Sequence, residues 1–539
     1  MKKWAILGIL AMVFAAAVPV SAEGNAAAWE QAKKDFYRDF SQTDLTVRKG
    51  ALDRIASLNT ADAAKFLLAI YSQIKFEADG YEKKKMAQVA ELENDLKPLR
   101  KAKSGLQAGE AARMAKLEGE LKAVNDEMEA RKTENKALLD TIASSLAKFT
   151  DAAAVAELRT MVIKSHDWTV RYAILTGLLS SRAEGIGSIC LEAAKDRDTR
   201  VKIVALDGLL TLKVDAAVPL FVNAVEDSEW QVRLCGVAGV EAYKSKDGIS
   251  AMVRQLAKED GRLRDDISGA LKRLTGMDFG YNAKAWDEWW GKVKDGWNGQ
   301  PVGGSKPPDG GVASGGPRGG GTTAEPPTFF GLKINSKKIV FVLDVSGSMN
   351  DPSEPPKSAQ EPPKVVSGGN QPPPEPWEAG MKGTKIEVLK HEFERTVSKL
   401  DPKVTFNVIV YGQTHLMWKD KMQNATPGNR ADAIDFVKKQ AGNGQTNLGD
   451  ALEEAFKLAG QGLGDKNYAA LVDTIYVMSD GAPNAGKYPN PDDIIRKVEE
   501  WNKLSKVVIN TIGLGNDGNY NPDFMRRLAG MTGGVFVKR

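Results

Sequence analysis

The sequence predicts an all-α solenoid with a coiled-coil hairpin, followed by a doubly wound α/β domain. Three observations predict it. Similar helical units recur every 31 residues in the first half of the chain, and a narrow apolar seam runs through residues 78–146. After residue 338, short apolar runs alternate with amphipathic stretches. The composition suits globular domains, since 42% of the 539 residues are hydrophobic and 27% are charged.

The charge and the cysteine content exclude several classes of function. The net charge of +4 is small for this length, so the chain has no electrostatic reason to bind nucleic acid or an anionic membrane. Cys190 and Cys235 both lie in amphipathic helical patterns and are expected to be buried free thiols. Three widely separated histidines and no Cys–His cluster argue against a zinc site.

Residues 1–22 have the layout of a secretory signal peptide. Lys2 and Lys3 precede an apolar run from Trp4 to Val18, and small residues lead to a cleavage position after Ala22. The alternative is an uncleaved membrane anchor, for which the run is short. We therefore expect an exported protein, periplasmic or extracellular and on the cell surface, with no transmembrane span after cleavage.

The 31-residue period links pairs of an apolar and a basic residue, each preceded by an acidic residue. The pairs are Val170-Arg171, Val201-Lys202, Val232-Arg233 and Leu263-Arg264, and the acidic residues are Asp167, Asp198 and Glu229. An acidic residue stabilises a helix N-terminus, and a single helical hairpin buries its apolar face only by stacking on neighbours. The pattern resembles HEAT repeats, which implies a surface for protein contacts. We assign residues 147–298 to HEAT-like repeats and residues 23–77 to a HEAT-like helical segment.

The last repeat ends in tryptophans, and a charged segment interrupts the repeats. Trp286, Trp289 and Trp290 share one helical face, which favours a hydrophobic cap over a ligand cage.

Between residues 78 and 146, apolar residues recur at intervals of three or four, as in a coiled coil. They are Val89, Leu92, Leu96, Leu99, Leu117, Leu121, Val124 and Met128. This segment forms either an antiparallel hairpin or helices that dimerise with another chain.

Residues 299–328 are rich in glycine and proline and are predicted to be a flexible linker. The domain that follows, residues 329–539, alternates strands with helices. The predicted strands are 339–343, 404–411, 473–478, 507–515 and 535–537, and the predicted helices are 385–399, 446–458, 492–504 and 522–528. This alternation indicates a doubly wound, Rossmann-like sheet, whose binding sites form at the carboxyl ends of the strands.

Oxygen-bearing side chains follow two of these strands and precede one helix. Asp344, Ser346 and Ser348 follow the first strand, Asp480 follows a later strand, and Thr446 precedes a helix. Carboxylates and hydroxyls are the ligands that hard divalent cations prefer, and Mg²⁺ takes them in octahedral geometry. The sequence predicts a Mg²⁺ site here, and Mn²⁺ and Ca²⁺ would also suit oxygen ligands.

These residues resemble the metal-ion-dependent adhesion site of von Willebrand factor A (VWA) domains, whose signature is Asp-x-Ser-x-Ser followed by a Thr and an Asp. Asp344, Ser346, Ser348, Thr446 and Asp480 match it in order. The resemblance implies a bacterial, exported protein in which the serines and the threonine bind the metal. The two aspartates often act through water, and an open coordination position takes a partner's Asp or Glu carboxylate. A Pro-rich insertion at residues 351–384 departs from the family pattern, and it either shields the site or is a tolerated loop.

No catalytic constellation accompanies the predicted metal site. We find no Ser–His–Asp order and no phosphate-binding loop. The sequence therefore predicts an exported, non-enzymatic protein-binding or adhesion protein, with the metal site and the helical repeats as two interaction surfaces. The alternative is an accessory subunit of a larger metal-dependent enzyme or assembly complex in the cell envelope. The partner and the oligomeric state do not follow from the sequence.

Overall fold

The computed structural model describes residues 23–102, 107–302, 326–353, 383–460, 471–515 and 521–539. The predicted signal peptide lies outside the described residues, as do most of the predicted linker and most of the Pro-rich insertion. The chain divides into two compact units, and the boundary between them along the sequence lies between Ile189 and Cys190. Within the described ranges, every helix is too short or too polar to cross a bilayer.

The first unit is built from helices, and its longest two form a hairpin. Its helices are α1 Glu23–Phe40, α2 Leu45–Ser57, α3 Ala61–Lys101, α4 Ala108–Ser145, α5 Ala152–Lys164 and α6 Trp168–Ser181. Ion pairs join Lys85 to Glu127 and Arg100 to Glu118, so α3 and α4 run antiparallel. Every predicted seam residue is buried or half-buried, on stretches of α3 and α4 between residues 78 and 130 whose other residues are largely exposed. The hairpin therefore forms within one chain, and α3 begins at Ala61, before the predicted start at residue 78.

The second unit opens with the repeats. The helices of this region are α7 Ile186–Ala193, α8 Thr199–Leu212, α9 Val218–Ala224, α10 Trp230–Tyr243, α11 Lys246–Leu256, α12 Arg262–Thr275 and α13 Ala283–Val293. Val201, Val232 and Leu263 are buried, as the period predicts. Asp198 caps α8 by accepting a hydrogen bond from the amide of Arg200. Cys235 is a buried free thiol, and Cys190 is one also.

The tryptophan face of α13 packs into the end of the repeats. Trp286 and Trp290 are buried, and the indole N–H of each donates a hydrogen bond, to Gly280 O and to Ser250 Oγ respectively. Trp289 is half-buried beside Trp286. A face that is buried with its polar atoms satisfied fits the hydrophobic cap that the sequence predicts.

The α/β domain is a mixed sheet between two layers of helices. Its strands are β1 Thr328–Phe329, β2 Leu332–Lys333, β3 Lys338–Asp344, β4 Thr405–Tyr411, β5 His415–Met417, β6 Gln423–Asn424, β7 Thr474–Ser479, β8 Val508–Gly513 and β9 Phe536–Lys538. The main sheet has the order β5-β4-β3-β7-β8-β9, and β6 also pairs with β4. Strands β4, β3, β7, β8 and β9 are parallel, which confirms the predicted fold class.

Alternate residues of β3 enter two different cores, which explains its unbroken apolar run. Phe341 belongs to the core on one face and Val342 to the core on the other. The helices of this domain are α14 Lys385–Val397, α15 Pro427–Lys438, α16 Leu448–Ala459, α17 Pro491–Ser505 and α18 Pro522–Gly530. Helices α14 and α15 cover the Phe341 face, and α16, α17 and α18 cover the Val342 face.

The repeats of the second unit pack directly against the α/β domain. The Arg262 guanidinium donates hydrogen bonds to the carbonyl oxygens of Asp473 (3.2 Å) and Lys506 (2.7 Å). Lys506 forms an ion pair with Asp207, and the Asn335 amide donates to Asp265. These contacts meet the amino-terminal end of β7, away from the edge that carries the predicted site. The helices of this unit and the α/β domain are therefore in direct contact.

The sequence prediction missed one helix and four short strands. Helix α15 buries only Ala433 and Val437, so its apolar periodicity is weak. Strands β5 and β6 are edge strands of three and two residues, and β1 and β2 form a two-stranded hairpin. Such short elements are held by tertiary pairing and leave little periodicity in the sequence.

Candidate metal centre

Three loops meet at the carboxyl edge of the parallel strands. Strand β3 ends at Asp344 and its neighbour β7 ends at Ser479, so Asp344 and Asp480 emerge side by side. The loop before α16, which contains Thr446, is joined to the end of β4, since the Asn447 amide donates to Gly412 O at 2.9 Å. Its backbone is joined to the first loop, since the Gly347 amide donates to Gly444 O at 3.0 Å.

A chain of hydrogen bonds joins the hydroxyls and carboxylates of the first and third loops. Oδ1 of Asp344 accepts from the Ser346 amide at 2.8 Å, which turns the loop back toward the strand. Ser346 Oγ lies 3.2 Å from Ser348 Oγ, and Ser348 Oγ donates to Asp480 Oδ1 at 2.8 Å. Asp344, Ser346 and Asp480 are at most 1% exposed. Four of the five predicted ligands therefore form one cluster, in which Asp344, Ser346 and Asp480 are buried and Ser348 is half-buried.

Thr446, the fifth predicted ligand, is positioned through its backbone. Its amide donates to Asn484 Oδ1 at 2.9 Å, and the Asn484 amide donates back to Thr446 O at 3.1 Å. Because Asn484 lies on the loop that follows Asp480, this pair fixes the Thr446 loop to the third loop. Thr446 is only 4% exposed. Among the described residues, no hydrogen bond joins its side chain to the other four predicted ligands.

The spacing of these oxygens fits a small divalent cation. Mg²⁺–O bonds of 2.0–2.1 Å place adjacent octahedral ligands about 3.0 Å apart. The 3.2 Å between Ser346 Oγ and Ser348 Oγ and the 2.8 Å between Ser348 Oγ and Asp480 Oδ1 bracket that value. Within the described part of the chain, no group of three or more His, Cys, Asp or Glu side chains could hold a metal. Any metal here would depend on the hydroxyls as well as the two carboxylates.

Burial makes the site electrostatically unfavourable for the ionised Asp344 carboxylate. Desolvation and, second, the neighbouring Asp480 raise the pKa of Asp344 to about 6. Hydrogen bonds from Ser346 and Ser479 lower this pKa but do not offset the other two effects. A divalent cation would reverse the balance, because it would supply opposite charge inside the low-dielectric cluster.

Lys385, the first residue of α14, is a member of the cluster that sequence reasoning missed. Its ammonium donates to Asp480 Oδ2 at 2.8 Å, and the two side chains are 3% and 0% exposed. A lysine in the first turn of a helix faces the positive end of the helix dipole, which is unfavourable. That unusual position was the one available signal in the sequence. Ser479 and Asn484 were also missed, and their residue types carry no comparable signal.

The Pro-rich insertion leaves and rejoins the fold beside this cluster. Pro352 and Thr384 form an isolated antiparallel bridge, and the Ser353 amide donates to Gly383 O at 2.8 Å. The Lys385 amide donates to Asp351 O at 3.0 Å. The two ends of the insertion are therefore tied together next to Lys385.

Comparison with known proteins agrees with this fold. Residues 378–537 match the family model of the von Willebrand factor type A domain. Inter-alpha-trypsin inhibitor heavy chain H2 of Homo sapiens is 29% identical over 203 residues, which are 37% of this chain and 17% of that protein. Heavy chain H3 of Mus musculus is 27% identical over 201 residues, 37% of this chain and 18% of the relative. The matched segment thus spans less than a fifth of these relatives.

Two solved structures are also similar to part of the chain. A von Willebrand factor type A protein from Catenulispora acidiphila is 17% identical, with a TM-score of 0.27, over 39% of this chain and 40% of its own. The manganese-loaded TRAP protein of Plasmodium vivax is 18% identical, with a TM-score of 0.22, over 36% of this chain and 61% of its own. On the family match and the parallel sheet, the C-terminal domain is a VWA domain.

Proposed function

We propose that this protein is an exported, non-enzymatic binding protein whose VWA domain holds one divalent cation, preferably Mg²⁺, and uses it to capture a partner's carboxylate. The observation that carries the proposal is the run of hydrogen-bonded oxygens from Ser346 Oγ through Ser348 Oγ to Asp480 Oδ1. The two serine oxygens lie 3.2 Å apart, which is close to the separation of adjacent ligands around Mg²⁺, and Ser348 Oγ is hydrogen-bonded to Asp480 Oδ1 at 2.8 Å.

In this proposal the serines and Thr446 bind the metal directly, and the aspartates act mainly through water. Both oxygens of Asp344 already accept hydrogen bonds, from the Ser346 amide and from Ser479 Oγ. A carboxylate occupied in this way is well suited to orient a metal-bound water. The cation would supply the positive charge that attracts an anionic partner group, and one coordination position would remain for it.

The relatives and the remaining domain support a binding role. The matched relatives are named as chains of an inhibitor, which accords with binding and not with catalysis. The helical repeats offer a second surface for protein contacts, as stacked helical hairpins commonly do. Export accords with the predicted signal peptide, and N-terminal sequencing of the secreted protein should then begin at Glu23. A mature protein that still begins at Met1 would contradict export by cleavage.

The proposal can be tested with Mn²⁺, whose unpaired electrons broaden the NMR signals of any molecule that it coordinates. We expect the full chain loaded with Mn²⁺ to broaden the methyl signal of acetate and to leave acetamide, the neutral control, much less affected. Thr446→Val should reduce Mn²⁺ binding and with it the acetate effect. Equal broadening of acetate and acetamide by a Mn²⁺-loaded chain would overturn carboxylate capture, and absence of Mn²⁺ binding would overturn the metal site.

A further inference from the structure

The buried ion pair between Lys385 and Asp480 places a fixed positive charge within the metal cluster. The ammonium nitrogen lies 2.8 Å from Asp480 Oδ2. It also lies 3.8 Å from a carboxylate oxygen of Asp351, but that side chain is 58% exposed and its charge is screened by solvent. Asp480 is therefore the buried partner of Lys385.

The two oxygens of Asp480 face different neighbours. Oδ1 accepts from Ser348 Oγ, on the side where the predicted metal ligands converge, and Oδ2 accepts from Lys385. A cation bound among the hydroxyls would approach Oδ1 and leave Oδ2 to the lysine. The arrangement thus allows Lys385 and a metal ion to share one carboxylate.

The fold holds the lysine in this position despite its unfavourable place on the helix. The preceding residue, Thr384, exchanges hydrogen bonds with Glu387, which fixes the first turn of α14. A Cβ atom added at Gly515 would lie 3.2 Å from Lys385 Cε and 3.5 Å from its Nζ. The glycine therefore leaves clearance for the lysine side chain as it reaches Asp480.

A count of buried charges shows what this arrangement does. With both aspartates ionised, the cluster carries two negative charges and one positive charge. A divalent cation changes its net charge from −1 to +1, whereas without the lysine the same ion would bring it only to neutrality. Lys385 thus opposes metal binding and leaves the metal-loaded site with positive charge to attract an anion.

We propose that Lys385 weakens the affinity of the site for its divalent cation and strengthens the affinity of the loaded site for a carboxylate. The inference rests on the proposed function of the same site and adds the residue that sets its charge. Metal and partner then bind cooperatively, because the partner's carboxylate neutralises the net positive charge of the metal-loaded cluster.

The test compares Mg²⁺ binding to the full chain by isothermal titration calorimetry for the native sequence and three variants. Lys385→Met removes the charge, Lys385→Arg keeps it, and Lys438→Met removes an exposed lysine that pairs with Glu394. We expect Lys385→Met to bind Mg²⁺ at least tenfold more tightly than the native chain. The Arg variant and the Lys438 variant should stay within about threefold of native.

The second readout is the broadening of acetate by the Mn²⁺-loaded chain. We expect Lys385→Met to reduce the affinity for acetate at least threefold even though it binds the metal more tightly. Opposite changes in the two affinities are not produced by a lysine that only supports the fold. If Lys385→Met proves unfolded in chelator, Lys385→Gln, which keeps a hydrogen-bond donor, replaces it.

Equal or weaker Mg²⁺ binding by the neutral variants would overturn the inference and leave the proposed function standing. Tighter Mg²⁺ binding with unchanged acetate affinity would overturn the part that concerns the partner. If neither the native chain nor any variant binds Mg²⁺ or Mn²⁺, the proposed function itself fails, and the inference with it.

Discussion

Asp344→Asn should stabilise the metal-free protein at neutral pH while abolishing its metal binding. Asp344 is fully buried, and burial and Asp480 raise its pKa to about 6 from an ordinary value of 3.8. Above pH 6 the folded protein must hold a charge that the unfolded chain holds more favourably in water. The ionised Asp344 side chain therefore lowers the free energy of unfolding of the metal-free protein.

The size of this cost follows from the two pKa values. A difference of about 2 pH units corresponds to about 3 kcal/mol at pH 7. The amide would retain an acceptor for the Ser346 N–H, and its own N–H could donate to Ser479 Oγ, whose single proton would then turn from residue 344 to Gly481 O at 3.0 Å. The amide carries one more N–H than a protonated carboxyl carries O–H, and burying that extra donor is expected to cost about 1 kcal/mol. The expected net gain is about 2 kcal/mol.

The pH dependence has a definite sign. Because the folded pKa lies above the unfolded pKa, the contribution of Asp344 is most favourable below pH 3.8 and is lost as the pH rises through about 6. The advantage of the variant should therefore be full at pH 7 and close to zero at pH 4.

Hydrogen exchange of the full chain in chelator, followed by mass spectrometry, measures the effect where it arises. Peptides that cover β3 and β7 should exchange about 30-fold more slowly in Asp344→Asn than in the native chain at pH 7. Added Mg²⁺ should slow exchange in the native chain and leave the variant unchanged. Faster exchange in the variant would refute the reasoning, since it would mean that the carboxylate stabilises the metal-free fold.

Three further predictions concern the site, the packing of the repeats and the core. Native Mg²⁺ affinity, measured by calorimetry, should fall about tenfold for each pH unit below about 6, because Asp344 must lose its proton to act in the site, and a flat profile between pH 5 and 7 would contradict this. Arg262→Met should remove the side-chain donor of the Lys506 carbonyl and one of the two donors of the Asp473 carbonyl, which also accepts from the Val508 amide, and chemical denaturation should show a loss of about 1–3 kcal/mol. Arg254→Met, in an exposed ion pair, should cost under about 1 kcal/mol. Gly239→Ala places a Cβ 2.1 Å from the Phe221 ring and should cost about 1–3 kcal/mol, whereas Gly428→Ala meets nothing within 4 Å and should be close to neutral in the same assay.

The sequence predicted well those elements whose burial is encoded in a long regular pattern. Strand β3 is buried on both faces and therefore appears as an unbroken apolar run. The seam of α3 and α4 and the 31-residue period of the repeats are equally regular. Order along the chain also predicted that Asp344 and Asp480 emerge together, because parallel neighbouring strands end at one edge.

The sequence could not reveal contacts between residues that lie far apart along the chain and that belong to no recognisable motif. Lys385 reaches Asp480 across 95 positions, and its unusual place in the first turn of α14 does not identify that partner. Arg262 reaches carbonyl groups more than 200 positions away, so the packing of the repeats on the VWA domain was also missed. Backbone carbonyl acceptors carry no sequence signal, since every residue has one.

The central claim is that one divalent cation binds among Ser346, Ser348, Thr446 and the two aspartates. The most direct test is a crystal structure of the chain grown with Mn²⁺, with diffraction recorded at the manganese absorption edge. The account predicts one strong anomalous peak within about 2.5 Å of Ser346 Oγ and Ser348 Oγ, with Lys385 still on Asp480. A well-ordered cluster without an anomalous peak, or a peak bound elsewhere on the domain, would contradict it.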